Sequence, residues 1–142
     1  MKLNIMVDKD IEIPAYAHVG DAGLDLRVRE GVWLHPQERR KIGTGVRVAI
    51  PEGYVGLVFP RSGFSSNTGV SLSNCVGVVD SSFRGEVQVP LINHDKKPHL
   101  IKAGERVCQL VVVPYASCEL VVVDELDETE RGENGFGSTG LA

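Results

Sequence analysis

The sequence of 142 residues predicts an all-β chain, a jelly-roll-like β-sandwich with a flexible, glycine-rich C-terminal arm. Three observations lead there. Apolar and polar residues alternate over short stretches, the period of a strand with one buried face. Glycine, proline, asparagine and aspartate break the chain about every 8 to 12 residues, the rhythm of a sandwich or barrel. No long segment repeats its apolar residues at the helical period.

Taken in order, Leu24, Leu26 and Val28 alternate with Asp25, Arg27 and Arg29. Val46, Val48 and Ile50 alternate around Arg47 and Ala49. Val55 to Phe59 is a short apolar run, read as a more fully buried strand. Behind Pro60, Ser62 to Asn67 suits a short turn of helix. Val87, Val89 and Leu91 alternate with Glu86, Gln88 and Pro90. Val107 to Val113 and Leu120 to Val123 are further valine-rich runs, again read as buried strands. From Asp124 the composition turns acidic and then glycine-rich. Residues 1–123 therefore read as the folded domain and 124–142 as an arm that orders on binding.

Hydrophobic residues make up 42% of the chain, enough for a sizeable core. No apolar run approaches a membrane span, and the N-terminus reads without a signal peptide. The cysteines are Cys75, Cys108 and Cys118. An odd count without a C-x-x-C pair favours neither a disulfide framework nor a zinc site. The expectation is a cytoplasmic protein, or one of the host cytoplasm if the source is viral. The net charge of −4 is uneven: Asp124 to Glu133 holds six acidic residues and one arginine, leaving 14 basic and 13 acidic residues elsewhere. No basic stripe remains, so neither nucleic acid nor membrane is an expected partner. A small anion held by a few placed cations fits.

Several segments suit such an anion. Gly135, Gly137 and Gly140 match G-x-G-x-x-G, but only Leu141 and Ala142 follow, so the helix that a dinucleotide loop needs is lacking. The segment reads instead as an arm that closes over a site made elsewhere. Phe59-Pro60-Arg61-Ser62-Gly63 ends a strand in a guanidinium, a hydroxyl and a glycine, suited to bidentate anion contact. An ordinary strand-to-turn junction would look the same. Asn74 to Glu86 runs through Gly77, Val79, Asp80 and Phe83 and reads as a hairpin. Its aspartate, at a strand end, is placed either to act as a general base or to cap the turn. Gln109 stands among apolar strand residues, and its amide needs partners from backbone or ligand. His18, His35, His94 and His99 lack metal-ligand spacing and read as surface or structural.

Together, Ala22 to Leu26, Pro60 to Gly63, Asn74 to Gly85, Gly104 to Leu110 and Arg131 to Gly140 resemble the five motifs of the trimeric dUTPase family, in order and spacing. Ile13 to Ala17 resembles its N-terminal segment. The resemblance implies a homotrimeric jelly roll whose shared active sites hydrolyse dUTP to dUMP and pyrophosphate with Mg²⁺. Such an enzyme keeps uracil out of DNA and supplies dUMP for dTMP synthesis. It implies that Asp80 activates the water attacking the α-phosphorus. Arg61, Ser62, Gly63 and Gln109, with Arg131, Gly137, Ser138 and Thr139 of the arm, would contact phosphates. Asn74, Gly77, Val79, Phe83 and Phe136 would hold uracil and deoxyribose, and Asp25 would support the metal and arginine shell. No residue would ligate the metal directly; Mg²⁺ would ride on the phosphates. Two positions depart from the pattern. Phe83 stands where tyrosine is usual, which keeps the ring and loses the phenol. Asn134 stands where glycine is usual, and asparagine tolerates left-handed backbone better than most. Two rivals remain. A dCTP deaminase is similar in fold, but Pro90 falls where its glutamate base belongs. A nucleotide sensor would bind dUTP to move the arm and expose or hide a partner surface.

Overall fold

The computed structural model describes residues 1–74 and 76–135. Its elements are β1 (Asn4–Val7), β2 (Leu24–Arg27), β3 (Val32–Leu34), β4 (Arg39–Ala49), β5 (Tyr54–Pro60), α1 (Ser62–Thr68), β6 (Val70–Leu72), β7 (Gly77–Val79), β8 (Glu86–Asn93), β9 (His99–Ile101) and β10 (Arg106–Pro114). They form two four-stranded antiparallel sheets, β1-β4-β8-β6 and β2-β10-β5-β7, with the pair β3-β9 beside them. This is the all-β, jelly-roll-type sandwich that the alternation predicts. The short helix behind Pro60 is present and buries Phe64.

The alternating residues fill the space between the sheets. Leu24, Leu26 and Val28, with Val46, Val48 and Ile50 and with Val87, Val89 and Leu91, all belong to one buried cluster. Each such side chain contributes about 1.5–3 kcal/mol by leaving water, so the pattern alone holds the sheets face to face.

Three expectations change. Val55, Leu57 and Phe59 on β5 are only half-buried, as are Val111 to Val113 on β10, because one face of that sheet is left partly open. The strand predicted at Leu120 to Val123 does not form; these side chains are 90%, 73%, 98% and 55% exposed. Beyond Pro114 no described residue joins a strand or helix, and among the described residues nothing buries this run. Finally, Asn74 to Glu86 is not a two-stranded hairpin. β7 pairs with β5 in one sheet, while β8 pairs with β4 and β6 in the other. The loop from Asp80 to Gly85 crosses between the sheets, and a cleft opens where their strands part.

Candidate active site

That cleft, of about 250 Å³, gathers Asn74, Gly77, Val79, Asp80 and Phe83. β7 is fixed by its ladder to β5, with Gly77 opposite Val58 and Val79 opposite Gly56. Val79 points into the core at 7% exposure, and Asp80 follows it into solvent. The turn is closed by the Phe83 N–H donating to the Asp80 carbonyl at 3.1 Å. Arg84 Nη1 donates to the carbonyls of Ser81 and Phe83 at 2.6 and 2.8 Å. The backbone is thus held by its own bonds, which leaves the Asp80 carboxylate at the rim of the cleft. Pro90, which falls in sequence where a deaminase carries its glutamate, also lines this cleft, as does Glu86.

A second cleft, of about 460 Å³, gathers Asp25, Arg61, Ser62, Gly63 and Gln109. Asp25, its side chain 12% exposed, forms an ion pair with Arg61 Nε at 2.8 Å and accepts from Arg106 Nη1 at 3.0 Å. Both its oxygens are therefore engaged by guanidinium groups. Gln109 lies opposite Asp25 across the β2–β10 ladder and donates from Nε2 to the Pro60 carbonyl at 3.2 Å. Its Oε1 lies against Gly23, where an added Cβ would stand only 2.0 Å away. A larger residue at Gly23 would make the Gln109 amide shift from this position. His18, read from sequence as surface or structural, lines this cleft as well, and its backbone N–H donates to Asp21 Oδ2 at 2.8 Å.

Arg106 lies within Gly104 to Leu110, and nothing in its local pattern marks it as a site residue. Arg106 and Gln109 are three residues apart, which on a regular strand puts them on opposite faces. The β2–β10 register shifts between Arg106 and Cys108, and this bulge turns both toward Asp25. The signal in the sequence is the consecutive apolar pair Val107-Cys108, both fully buried. Burial, and next the Asp25 charge, push the Cys108 thiol from 9.0 up to about 12, with Arg61 opposing. At neutral pH it is a protonated core side chain. The unfolded thiol ionises first, so its contribution to stability is whole below pH 9.0 and falls as pH climbs from there through about 12. In native protein, iodoacetamide is expected to label exposed Cys118 and spare Cys108 until denaturant is added, as read by peptide mass spectrometry.

The two clefts share no lining residue, so a single chain does not bring Asp80 to Arg61. Arg131 donates within its own segment, to the carbonyls of Asn134 at 2.9 Å and Gly135 at 3.4 Å. Phe136, Gly137, Ser138 and Thr139 lie outside the described residues. Among the described residues no three His, Cys, Asp or Glu side chains gather as a metal site, and no helix is long and apolar enough to cross a membrane.

The dUTPase family model matches residues 9–140. The chain belongs to the dUTPase family. It is 50% identical over 131 residues to the deoxyuridine 5'-triphosphate nucleotidohydrolase of Cutibacterium acnes, covering 92% of this chain and 86% of that one. It is 41% identical to the Finegoldia magna enzyme of the same name, over 99% of both. Among solved structures, the dUTPase of Staphylococcus bacteriophage 80alpha with dUPNHPP superposes with a TM-score of 0.88, at 36% identity over 99% of both chains. The dUTPase of phage phi11 of S. aureus gives 0.83 at 30% identity, covering 91% of this chain and all of that one. Membership of the dUTPase family makes the chain an enzyme of the dUTP diphosphatase class.

Proposed function

We propose that the chain hydrolyses dUTP to dUMP and pyrophosphate, with Asp80 as general base. The observation that carries this reading is the cleft between the sheets, where Asp80 shares one wall with Asn74, Gly77 and Phe83. A base held against β7 meets backbone donors and acceptors suited to the uracil edge. Cytosine would leave such groups unpaired, which is costly in a buried site. The Phe83 ring, 41% exposed at the mouth, lies where it would stack on deoxyribose and clash with a ribose 2′-hydroxyl. The Asp80 carboxylate takes a proton from water as the oxygen bonds to the α-phosphorus. The bond to the bridging oxygen breaks opposite, and pyrophosphate leaves.

The phosphate end is supplied by the second cleft, through Arg61, Ser62, Gly63 and Gln109. Because the two clefts are separate on one chain, a complete site takes one from each of two neighbouring copies in a homotrimer. The exposed run from Leu120 to Val123 supports the same assembly, since a neighbour would cover it. The arm from Asp124 then closes as a lid, with Arg131, Gly137, Ser138 and Thr139 at the phosphates and Phe136 on the base. A Mg²⁺ ion carried on the triphosphate would neutralise part of its charge. The donor set suits an ion carried that way: Asp25, in the second cleft, has both oxygens held by Arg61 and Arg106. Asp25 therefore aims the two guanidiniums. In a cell the reaction would keep uracil out of DNA and supply dUMP for dTMP synthesis.

The test is a substrate panel of dUTP, dCTP, dTTP and UTP with Mg²⁺, followed for pyrophosphate and ammonia. Pyrophosphate from dUTP alone is expected. Ammonia from dCTP would mean deamination, and tight dUTP binding without pyrophosphate would mean a sensor.

A further inference from the structure

Glu86 opens β8 directly after Gly85, at the far end of the loop that begins with Asp80. Opposite it, β4 carries a bulge: its register with β8 shifts between Gly43 and Arg47. Ladder bonds are lost there, and side chains replace them. Thr44 Oγ1 donates to the Val87 carbonyl at 2.7 Å, and the Gly45 N–H donates to Glu86 Oε1 at 2.7 Å. Gly45 adopts φ +70°, a conformation that other residues rarely take.

The bulge is itself pinned. The Arg29 N–H donates to the Gly43 carbonyl at 2.9 Å, and the Asp8 N–H to the Gly45 carbonyl at 2.8 Å. Arg29 Nη1 lies 3.5 Å from both Glu86 Oε1 and Asp8 Oδ2, and Arg47 pairs with Asp8 at 2.6 Å. The Glu86 carboxylate, 15% exposed, is thus fastened into a frame drawn from β4 and from residues that follow β1 and β2.

Glu86 also lines the cleft of Asp80 and Phe83. Only Arg84 and Gly85 separate it from Phe83, and a Cβ at Gly85 would stand 2.6 Å from Phe83 Cζ. The ring therefore rests on the Gly85 backbone, and the start of β8 sets where that backbone lies. We infer that Glu86 is a positioning residue for sugar selection: its bond to Gly45 holds the platform under the Phe83 ring. The inference rests on the proposed reading of that cleft.

The experiment compares kcat and KM for dUTP and UTP in Glu86→Ala, Glu86→Asp, Glu86→Gln and, as control, Phe83→Ala. Glu86→Ala leaves the Gly45 N–H buried without an acceptor, and Glu86→Asp withdraws the carboxylate by one methylene. Each is expected to lower the dUTP-over-UTP preference about tenfold, chiefly through a higher KM for dUTP. Glu86→Gln keeps an acceptor oxygen and should retain the preference to within about threefold. A merely structural loss would reduce the active fraction, and so kcat, and leave the ratio untouched. Should Glu86→Ala fail to fold, Glu86→Asp decides. An unchanged preference in the folded Glu86 variants, where Phe83→Ala loses it, overturns the inference and leaves the reading of the cleft standing. An unchanged preference in Phe83→Ala overturns both.

Discussion

Replacing Asp80 with asparagine is expected to lower kcat for dUTP about 10²- to 10⁴-fold while dUTP still binds. The amide fills the same space and can still orient a water, but it cannot accept the proton. The loop itself should not move. Its closing bond runs from the Phe83 N–H to the Asp80 carbonyl, and Arg84 caps the Ser81 and Phe83 carbonyls, all through backbone acceptors. Single-turnover release of pyrophosphate, set beside an equilibrium titration with dUTP, separates the two effects. Near-normal turnover would remove Asp80 from the role of base. Lost binding with normal turnover at saturation would make it a binding residue.

A chain ending at Glu130 is expected to keep its melting temperature and lose at least about 10²-fold in kcat/KM. Past Pro114 no described residue joins a ladder, and the large buried side chains all lie before that point. Removing the last residues therefore takes no described side chain from the core. It does remove Arg131, Phe136, Ser138 and Thr139, the groups assigned to cover the base and the outer phosphates. Lids of this kind exclude water and complete the set of charges around the phosphoryl group. Calorimetry and a pyrophosphate assay on the truncated chain check both halves. A fall in melting temperature would tie the arm to the fold, and full activity would end its role as a lid.

The sandwich is legible in the sequence because one physical rule writes it: Leu24, Leu26 and Val28, or Val87, Val89 and Leu91, alternate with polar neighbours and are all buried. Local chemistry also marks the helix behind Pro60. Pairing is not written locally. Asn74 to Glu86 looks like a hairpin, yet β7 and β8 belong to different sheets, a choice made by β5 and β4 far along the chain. Leu120 to Val123 has the composition of a buried strand and no strand partner among the described residues. Apolarity says that a segment needs cover; it does not say which molecule supplies it. At the site, the residue types at Asp80, Arg61 and Gln109 were readable. That Arg106 shares Asp25 was not, since it depends on a one-residue bulge. Nor was the division into two clefts, which follows from the path of the sheets.

That division is what the account depends on most. Mix Asp80→Asn chains with Arg61→Ala chains, let subunits exchange, and measure pyrophosphate released from dUTP. Each parent alone is expected to be nearly inactive. In a randomly mixed trimer a site is whole only where an Asp80-bearing subunit abuts an Arg61-bearing one, which predicts recovery to about one quarter of the wild-type rate. A mixture no more active than its two parents would contradict a site built from neighbouring copies.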